Sequence, residues 1–152
     1  MKLGLCVIGC GEFARAFAES VAVARNQVEL YFASRDYARA KTYSDEFDGA
    51  GAFGSYEDAA ADPRVEALYI CTPHHLHLEH AQLGARAKKH ILLEKPIART
   101  IDEARAIISA ADDARVKLMV AENYRFRAPV QEAKRIIDSG GVGRVRLIQV
   151  QE

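Results

Sequence analysis

Short apolar runs alternate with longer segments of helical periodicity along the whole chain. Leu3–Ile8 and Val28–Ala33 are apolar enough to be buried strands, and the segment between them, roughly Glu12–Ala24, has apolar residues at helical spacing. Alternation of this kind is typical of a parallel sheet built from βαβ units. The predicted strands are Leu3–Ile8, Val28–Ala33, Ala50–Phe53, Ala67–Cys71, Ile91–Leu93 and Leu118–Ala121. The pattern therefore predicts an α/β fold with a doubly wound, six-stranded parallel sheet.

Helix start signals support this pattern. Ser55 precedes a short acidic helix start, and Thr100 with Glu103 forms a capping-box pattern before Ile101–Ala114. The apolar stripe predicted for the first helix consists of Phe13, Phe17, Val21 and Ala24. The other predicted helices are Asp36–Phe47, His74–Ala87 and Pro129–Asp138.

The last residues alternate between apolar and polar like a half-buried antiparallel strand, Val145–Gln151. Because the six predicted strands already complete a sheet, we expect residues 1–144 to form one domain. Residues 145–152 are then the first strand of a truncated second domain. An unpaired strand edge can associate with a copy of itself, so this segment is also a candidate contact for a homo-oligomer.

Composition narrows the classes of function. The 152 residues include 21 Lys plus Arg and 21 Asp plus Glu, so the formal net charge is zero, which argues against nucleic-acid or anionic-membrane partners. Neither a membrane-length apolar run nor a secretory signal is present, so we expect a cytoplasmic protein. The three cysteines suggest small buried thiols rather than disulfides. Cys10 alone is a candidate reactive thiol, because a helix N-terminus lowers a thiol pKa.

A glycine-rich turn joins the first strand to the first helix. Gly9, Gly11 and Ala14 make a G-x-G-x-x-A pattern in a βαβ unit, where the glycines permit a tight turn and close approach to a diphosphate. Backbone amides of the helix start would bind the phosphate oxygens. The predicted dinucleotide-binding segment is Gly9, Cys10, Gly11, Glu12, Phe13 and Ala14, and the expected sheet is thus of the Rossmann type. A methyltransferase also has a glycine-rich turn here, but it usually carries an acid at the end of the second strand.

The end of the second strand bears on the choice of coenzyme. An NAD-binding chain usually has an acid there that binds the ribose 2′-OH, whereas this sequence has Ser34 followed by Arg35 and Asp36. A hydroxyl and a guanidinium suit a 2′-phosphate, which favours NADP. If Asp36 faces the ribose instead of capping the next helix, NAD becomes the alternative.

Further candidate residues follow the fourth, fifth and sixth strands, at the edge where open α/β sheets bind ligands. Thr72, Pro73, His74 and His77 follow the fourth strand, and the histidine spacing lacks a convincing third metal ligand, so we predict no metal site. Glu94, Lys95 and Pro96 follow the fifth, and Lys95 there is suited to orient a substrate hydroxyl and relay its proton. After the sixth, Asn123 is suited to bind the nicotinamide amide, and Arg125 a substrate or a carboxylate.

Taken together, these residues resemble the N-terminal domain of the glucose–fructose oxidoreductase, inositol dehydrogenase and rhizopine-catabolism (Gfo/Idh/MocA) family of NAD(P)-dependent oxidoreductases. The resemblance spans essentially the whole chain. The motifs that carry it are Gly9-x-Gly11-x-x-Ala14, Ser34-Arg35-Asp36, Phe53-Gly54-Ser55-Tyr56, Asp62-Pro63, Ala67-Leu68-Tyr69-Ile70, Thr72-Pro73-x-x-x-His77, Glu94-Lys95-Pro96, Asn123-Tyr124-Arg125-Phe126 and Gly140-x-x-Gly143. It implies that Lys95 is the active-site lysine, that Glu94 and Pro96 shape the nicotinamide pocket, and that Thr72, Pro73 and His77 line the cofactor cleft.

The resemblance also sets expectations about activity. Family members normally continue into a second domain that binds the substrate, forms the oligomer interface and supplies a catalytic His and often an Asp. We therefore expect the intact protein to transfer hydride to or from a sugar, cyclitol or related polyol, and this 152-residue chain to bind coenzyme but turn over substrate feebly or not at all. A nucleotide-binding or sensor module with an idle lysine is the alternative.

Overall fold

Six parallel strands form one sheet in the computed structural model, which describes residues 2–150. The strands are β1 Leu3–Ile8, β2 Val28–Ala33, β3 Gly51–Phe53, β4 Ala67–Ile70, β5 His90–Leu93 and β6 Leu118–Val120. Their order is β3-β2-β1-β4-β5-β6, so the direction of winding reverses between β1 and β4. In the centre of the sheet Leu5 is in register with Leu30 on one side and Ala67 on the other. The predicted doubly wound, Rossmann-type sheet is confirmed.

Six α-helices connect or follow the strands. They are α1 Glu12–Val21, α2 Tyr37–Glu46, α3 Tyr56–Ala61, α4 His77–Arg86, α5 Ile101–Ala114 and α6 Ala128–Asp138. Short 3-10 turns at Ala22–Ala24 and His74–Leu76 extend α1 and precede α4, so both predicted helices are confirmed with a change of helix type at one end.

The predicted helix starts are confirmed by their capping bonds. Ser55 Oγ accepts the Asp58 amide at 3.0 Å, and Thr100 Oγ1 accepts the Glu103 amide at 3.1 Å. The Glu103 carboxylate in turn accepts the amide of Arg99, one residue before the position that a standard capping box would use.

Side chains alternate across the sheet and build a separate core on each face. Leu5, Val7 and Tyr69 pack with residues of α1 and α2, whereas Ile8 and Leu68 pack with residues of α3, α4 and α5. Near-continuous burial of β1 and β4 is what a sheet covered on both faces requires.

The apolar stripe predicted for the first helix is wrong in detail. Ala14 and Ala18 are its buried residues, whereas Phe13 is 67% exposed. Small side chains on the inward face let α1 lie close to the sheet beneath the glycine turn. Phe17 alone among the predicted aromatic positions packs against this core, where it is partly buried.

By internal contacts the chain divides into two units, one ending at Ala121 and one beginning at Glu122. The second contains the 3-10 helix Asn123–Phe126 and α6. Residues 145–150 of the predicted strand Val145–Gln151 join no ladder among the described residues, Gln151 lies outside them, and the assignment of this segment to a second domain stays a prediction. A strand requires a neighbour to accept and donate its backbone hydrogen bonds, and here Leu147 and Val150 are about four-fifths exposed instead (82% and 80%).

Over residues 2–150, no helix has both the length and the apolar character needed to cross a bilayer.

Candidate functional site

The candidate residues that follow β1, β2, β4 and β5 lie along one edge of the sheet, because these four strands are parallel neighbours. Backbone hydrogen bonds link the strand ends directly. The Gly9 amide donates to the Ala33 carbonyl at 3.0 Å, and the Glu94 amide donates to the Ile70 carbonyl at 2.9 Å. The structure thus brings the glycine turn, Ser34–Arg35, Thr72–Pro73 and Glu94–Pro96 together.

The glycine turn has the geometry that a diphosphate site requires. Gly9 has a φ of +98°, and a Cβ added there would lie 2.9 Å from Thr72 Cγ2. In front of Gly11 there is open space, since no described atom lies within 4 Å of a Cβ built on it. Gly11 is also the N-cap of α1, and no side chain of the described residues caps that helix end. The first amides of α1 are therefore available to a ligand with phosphate oxygens.

A tyrosine that sequence analysis did not identify holds the glycine turn through a hydrogen bond. The Tyr43 hydroxyl, on α2, donates to the Gly11 carbonyl at 3.1 Å. The Arg15 guanidinium lies 5.2 Å from the centre of the Tyr43 ring and pairs with the Glu46 carboxylate. The Tyr43–Gly11 bond joins residues 32 positions apart, so no local sequence pattern predicts it.

Cys10 does not have the activated thiol that its place at a helix start predicted. Its side chain is 5% exposed, and the thiol points to the Ala33 carbonyl at 3.6 Å. Burial raises the pKa of Cys10 to about 11, and the nearby positive charge of Arg39 offsets only part of that rise. The prediction of a reactive thiol is therefore wrong, and Cys10 can serve a ligand through its backbone only.

At the end of β2, Ser34 and Asp36 make local bonds. Ser34 is 8% exposed, and its hydroxyl accepts the Asp36 amide at 3.2 Å. Asp36 is the N-cap of α2: one oxygen of its carboxylate accepts the amides of Ala38 and Arg39 at 3.0 and 3.4 Å. The acid that raised the NAD alternative is thus engaged at a helix start.

Arg35, by contrast, faces a cavity of about 280 Å³ at the same edge of the sheet. Tyr56 and His80 also line it, with their rings edge to face at 4.7 Å. Burial raises the pKa of the Tyr56 hydroxyl, an effect that the Arg35 charge opposes. Burial likewise lowers the pKa of His80, while the Glu79 and Glu57 carboxylates oppose that shift. The cavity therefore combines aromatic walls with one guanidinium and two carboxylates.

Arg39 is a second cation at this end of α2. Its positive charge lowers the pKa of the Cys10 thiol in the glycine turn, against the rise that burial causes. Sequence analysis missed Arg39, because Arg35 lies before the N-cap of α2 and helical spacing does not relate the two residues.

The histidines after β4 divide into an exposed pair and a buried pair. His74 and His75 are exposed, whereas His77 and His80 are 0% and 5% exposed. His80 Nδ1 lies 2.9 Å from Thr72 Oγ1, and both ring nitrogens of His77 face carbonyl oxygens. Among the described residues, no group of three or more His, Cys, Asp or Glu is arranged to hold a metal ion.

The segment after β5 presents Lys95 to solvent between two anchored neighbours. Glu94 Oε1 accepts the Tyr69 hydroxyl at 2.6 Å, and Oε2 accepts the Lys95 amide at 3.1 Å. The Pro96 carbonyl oxygen lies 2.9 Å from His77 Nδ1. The Glu94 carboxylate therefore binds within the protein, and the Lys95 side chain extends from a fixed backbone.

Asn123 and Arg125 lie in the second unit, within the 3-10 helix Asn123–Phe126. Their roles in binding coenzyme or substrate stay predictions.

Comparison with known proteins decides the family. The model of an oxidoreductase family with an NAD-binding Rossmann fold, Gfo/Idh/MocA, matches residues 3–122. This chain belongs to that family. The resemblance inferred from the motifs is confirmed, and the chain is an NAD-binding oxidoreductase domain rather than a methyltransferase.

Relatives of the family domain differ in what they act on. The chain is 35% identical over 149 residues to 1-carboxy-3-chloro-3,4-dihydroxycyclohexa-1,5-diene dehydrogenase of Comamonas testosteroni, covering 97% of this chain and 37% of the relative. It is 39% identical over 107 residues to D-xylose 1-dehydrogenase (NADP(+)) 2 of Haloferax volcanii, covering 70% of this chain and 33% of the relative.

A solved structure of a levoglucosan dehydrogenase, in complex with NADH and levoglucosan, superposes with a TM-score of 0.88 at 31% identity. The match covers 95% of this chain and 41% of that one. This chain thus spans about two-fifths of the length of that dehydrogenase.

Proposed function

We propose that this chain binds NADPH in preference to NADH at the carboxyl edge of its sheet. We propose further that it serves an oxidoreductase acting on a sugar, cyclitol or related polyol. The observation that carries the coenzyme preference is the capping role of Asp36, which turns the only acid at the end of β2 toward α2. Arg35 faces the neighbouring cavity, and Arg39 adds a second positive charge nearby. A relative at 39% identity is described as NADP(+)-dependent, which supports the same preference.

The residues present fit a dinucleotide. Gly9 and Gly11 give the backbone access to the diphosphate, and the uncapped amides of α1 bind its oxygens. Arg35 and Arg39 bind a 2′-phosphate, and the Ser34 hydroxyl, which accepts the Asp36 amide, has its own proton to donate to that phosphate. The remaining proposed contacts are the backbone of Cys10, Glu12 and Phe13, with Thr72, Pro73, His74, Glu94 and Pro96 around the other half of the coenzyme.

When bound, the nicotinamide supplies or accepts a hydride at its C4 carbon. Lys95 then acts on the substrate: its side-chain nitrogen binds the hydroxyl or carbonyl oxygen and exchanges a proton with it, a contribution of about 10²- to 10⁴-fold in rate. The names of three relatives contain D-xylose, levoglucosan and a dihydroxylated ring, and each of these compounds has a secondary alcohol. This supports a polyol as the substrate class.

Calorimetric titration of the chain with NADPH and with NADH tests the first part. We expect NADPH to bind at least about tenfold more tightly, because a charge-assisted phosphate contact contributes about 1.5–3 kcal/mol. Equal binding, or binding of neither coenzyme, would contradict the proposal.

Turnover with a panel of sugars and cyclitols tests the second part. We expect slow NADP⁺ reduction that Lys95→Met abolishes. Tight NADPH binding with no Lys95-dependent turnover, in a protein that also carries the substrate-binding domain, would favour the alternative of a nucleotide-binding or sensor module.

A further inference from the structure

The backbone around Lys95 is held at both of its ends by buried side chains from two other elements. On one side is Tyr69 of β4, and on the other is His77, the first residue of α4. The two are 2% and 0% exposed, so the protein encloses both side chains.

The Tyr69 contact reaches Lys95 through one carboxylate. The Tyr69 hydroxyl donates to Glu94 Oε1 at 2.6 Å, and Glu94 Oε2 accepts the amide of Lys95 at 3.1 Å. The Tyr69 ring is itself stacked on Phe17 of α1 with ring centres 3.9 Å apart. Because burial and the Glu94 contact raise the pKa of Tyr69, its hydroxyl keeps the proton that it donates. A stacked ring fixes the hydroxyl, the hydroxyl fixes the carboxylate, and the carboxylate fixes the Lys95 amide.

The His77 contact holds the other side. Its Nδ1 lies 2.9 Å from the Pro96 carbonyl oxygen, and its Nε2 lies 3.0 Å from the Thr72 carbonyl oxygen. Because a neutral imidazole carries one N–H, the anchor of Pro96 is the Nδ1–H tautomer, which ties the segment after β5 to the start of α4.

We propose that Tyr69 and His77 are positioning residues that fix the backbone on either side of Lys95 and so set where its side chain reaches. This rests on the role proposed above for Lys95. An exposed lysine has four rotatable side-chain bonds, and a fixed backbone narrows the region that its amine can reach. Misplacement of a reacting group by about 1 Å can cost about a hundredfold in rate, which gives the two anchors a functional consequence.

Amide exchange of Lys95, measured by NMR on the chain without coenzyme, tests the Tyr69 anchor. Tyr69→Phe removes one hydroxyl and keeps the ring, so we expect a stable fold and Lys95 amide exchange faster by about tenfold. The matched control is Tyr31→Phe, which removes an equivalent bond from a buried tyrosine to Glu29, 2.9 Å long, at another place in the sheet. Lys95 exchange no faster in Tyr69→Phe than in Tyr31→Phe would overturn the proposal.

The His77 anchor is tested in the unaltered chain and in one variant. We expect the Nδ1–H of His77 to give a slowly exchanging NMR signal, and rapid exchange at that nitrogen would overturn this anchor. His77→Gln should speed exchange of the Lys95 and Ile97 amides about tenfold beyond His90→Gln, whose exposed ring accepts the Lys117 amide at 3.1 Å. If His77→Gln does not fold, the NMR signal of the His77 ring tests this anchor, and amide exchange in Tyr69→Phe still tests the other.

A labelling experiment separates this proposal from the proposed function. NADPH should slow acylation of Lys95 in the unaltered chain. If it does not, the proposed function is contradicted, whereas the positioning proposal is still tested by the amide-exchange results. In Tyr69→Phe we expect NADPH affinity within about threefold of the parent but at least about fivefold less protection of Lys95, since the amine is no longer held at one place. Full protection in Tyr69→Phe would overturn the positioning role, and a merely stabilising tyrosine would not alter protection at equal affinity.

Discussion

The Asp36 carboxylate lies 3.0 Å from the Ala38 amide and caps α2. Replacing it with Ala should lower the free energy of unfolding by about 1 kcal/mol, as loss of an N-cap does, and should leave the ratio of NADPH to NADH affinity unchanged. Urea denaturation and calorimetry measure the two effects. A selective loss of NADH affinity would instead show that Asp36 binds the ribose, contrary to the proposed preference.

Arg35 and Arg39 should account for the coenzyme preference. Arg35→Ala is expected to weaken NADPH binding by about ten- to a hundredfold and to change NADH binding little, because only NADPH carries the 2′-phosphate. Arg39→Ala should act in the same direction. Arg105→Ala is a suitable control, since its guanidinium is exposed on α5. NADPH affinity equal in all three variants would remove the argument for a phosphate contact.

The two glycines of the turn should respond differently to a methyl group. Alanine at position 9 would have to adopt the positive φ of Gly9, and its Cβ would lie 2.9 Å from Thr72 Cγ2. Gly9→Ala should therefore lower the melting temperature by several degrees. Gly11→Ala meets no described atom within 4 Å and should leave stability nearly unchanged. It should nevertheless weaken either coenzyme at least about tenfold, since its methyl group occupies the space of the diphosphate. Unchanged coenzyme affinity in Gly11→Ala would count against binding at this turn.

Cys10 should be unreactive in the folded chain at neutral pH. Its raised pKa, about 11, means that its thiolate is scarce below pH 9 and increases only as the pH rises toward 11. Alkylation by iodoacetamide, followed by mass spectrometry, should be much slower at pH 8 in the folded chain than in urea. Rapid alkylation of folded Cys10 at pH 7 would restore the activated thiol that the sequence suggested.

Asp62 should give the fold a pH-dependent contribution on the acid side. Its carboxylate accepts Arg64 Nη2 at 2.6 Å and Nε at 2.9 Å, and these bonds lower the pKa of Asp62 to about 2. A depressed carboxyl pKa stabilises the folded state above the unfolded pKa, near 4, and this contribution disappears as the pH falls to about 2. Because Arg64 is 61% exposed, screening reduces the effect to about 1 kcal/mol or less.

Comparison of Asp62→Asn with the parent chain by urea denaturation tests this contribution. We expect the variant to be less stable at pH 7 and equal to the parent near pH 2. Asp102→Asn, at a carboxylate that is 94% exposed, is the control that should show no such trend. A constant difference between pH 7 and pH 2 would contradict the assignment.

Local pattern predicted the sheet and the glycine turn because both depend on neighbours in sequence. The period of apolar residues identifies strands such as Val28–Ala33, and G-x-G-x-x-A defines a turn within six positions. The predicted strand Val145–Gln151 depends on more than its own residues. Alternation is a local property, whereas strand pairing requires a partner elsewhere.

The supporting contacts of the site could not be predicted in this way. Tyr69 meets Glu94 across 25 residues, and Tyr43 meets Gly11 across 32. Local pattern also could not predict which histidines are buried. His75 is exposed and His77 is buried because of the path that the chain takes after Pro73. Such pairings follow from strand order and helix placement, which the sequence specifies only through the complete fold.

The separate cores on the two faces of the sheet have an evolutionary consequence. The proposed ligand contacts lie in turns at the strand tips, whereas Leu5 and Val7 on one face and Ile8 and Leu68 on the other sustain the scaffold. Substitutions at the tips can therefore change specificity without repacking either layer, and each layer can drift in composition independently of the other. A domain built this way can acquire new substrates while inheriting its stability.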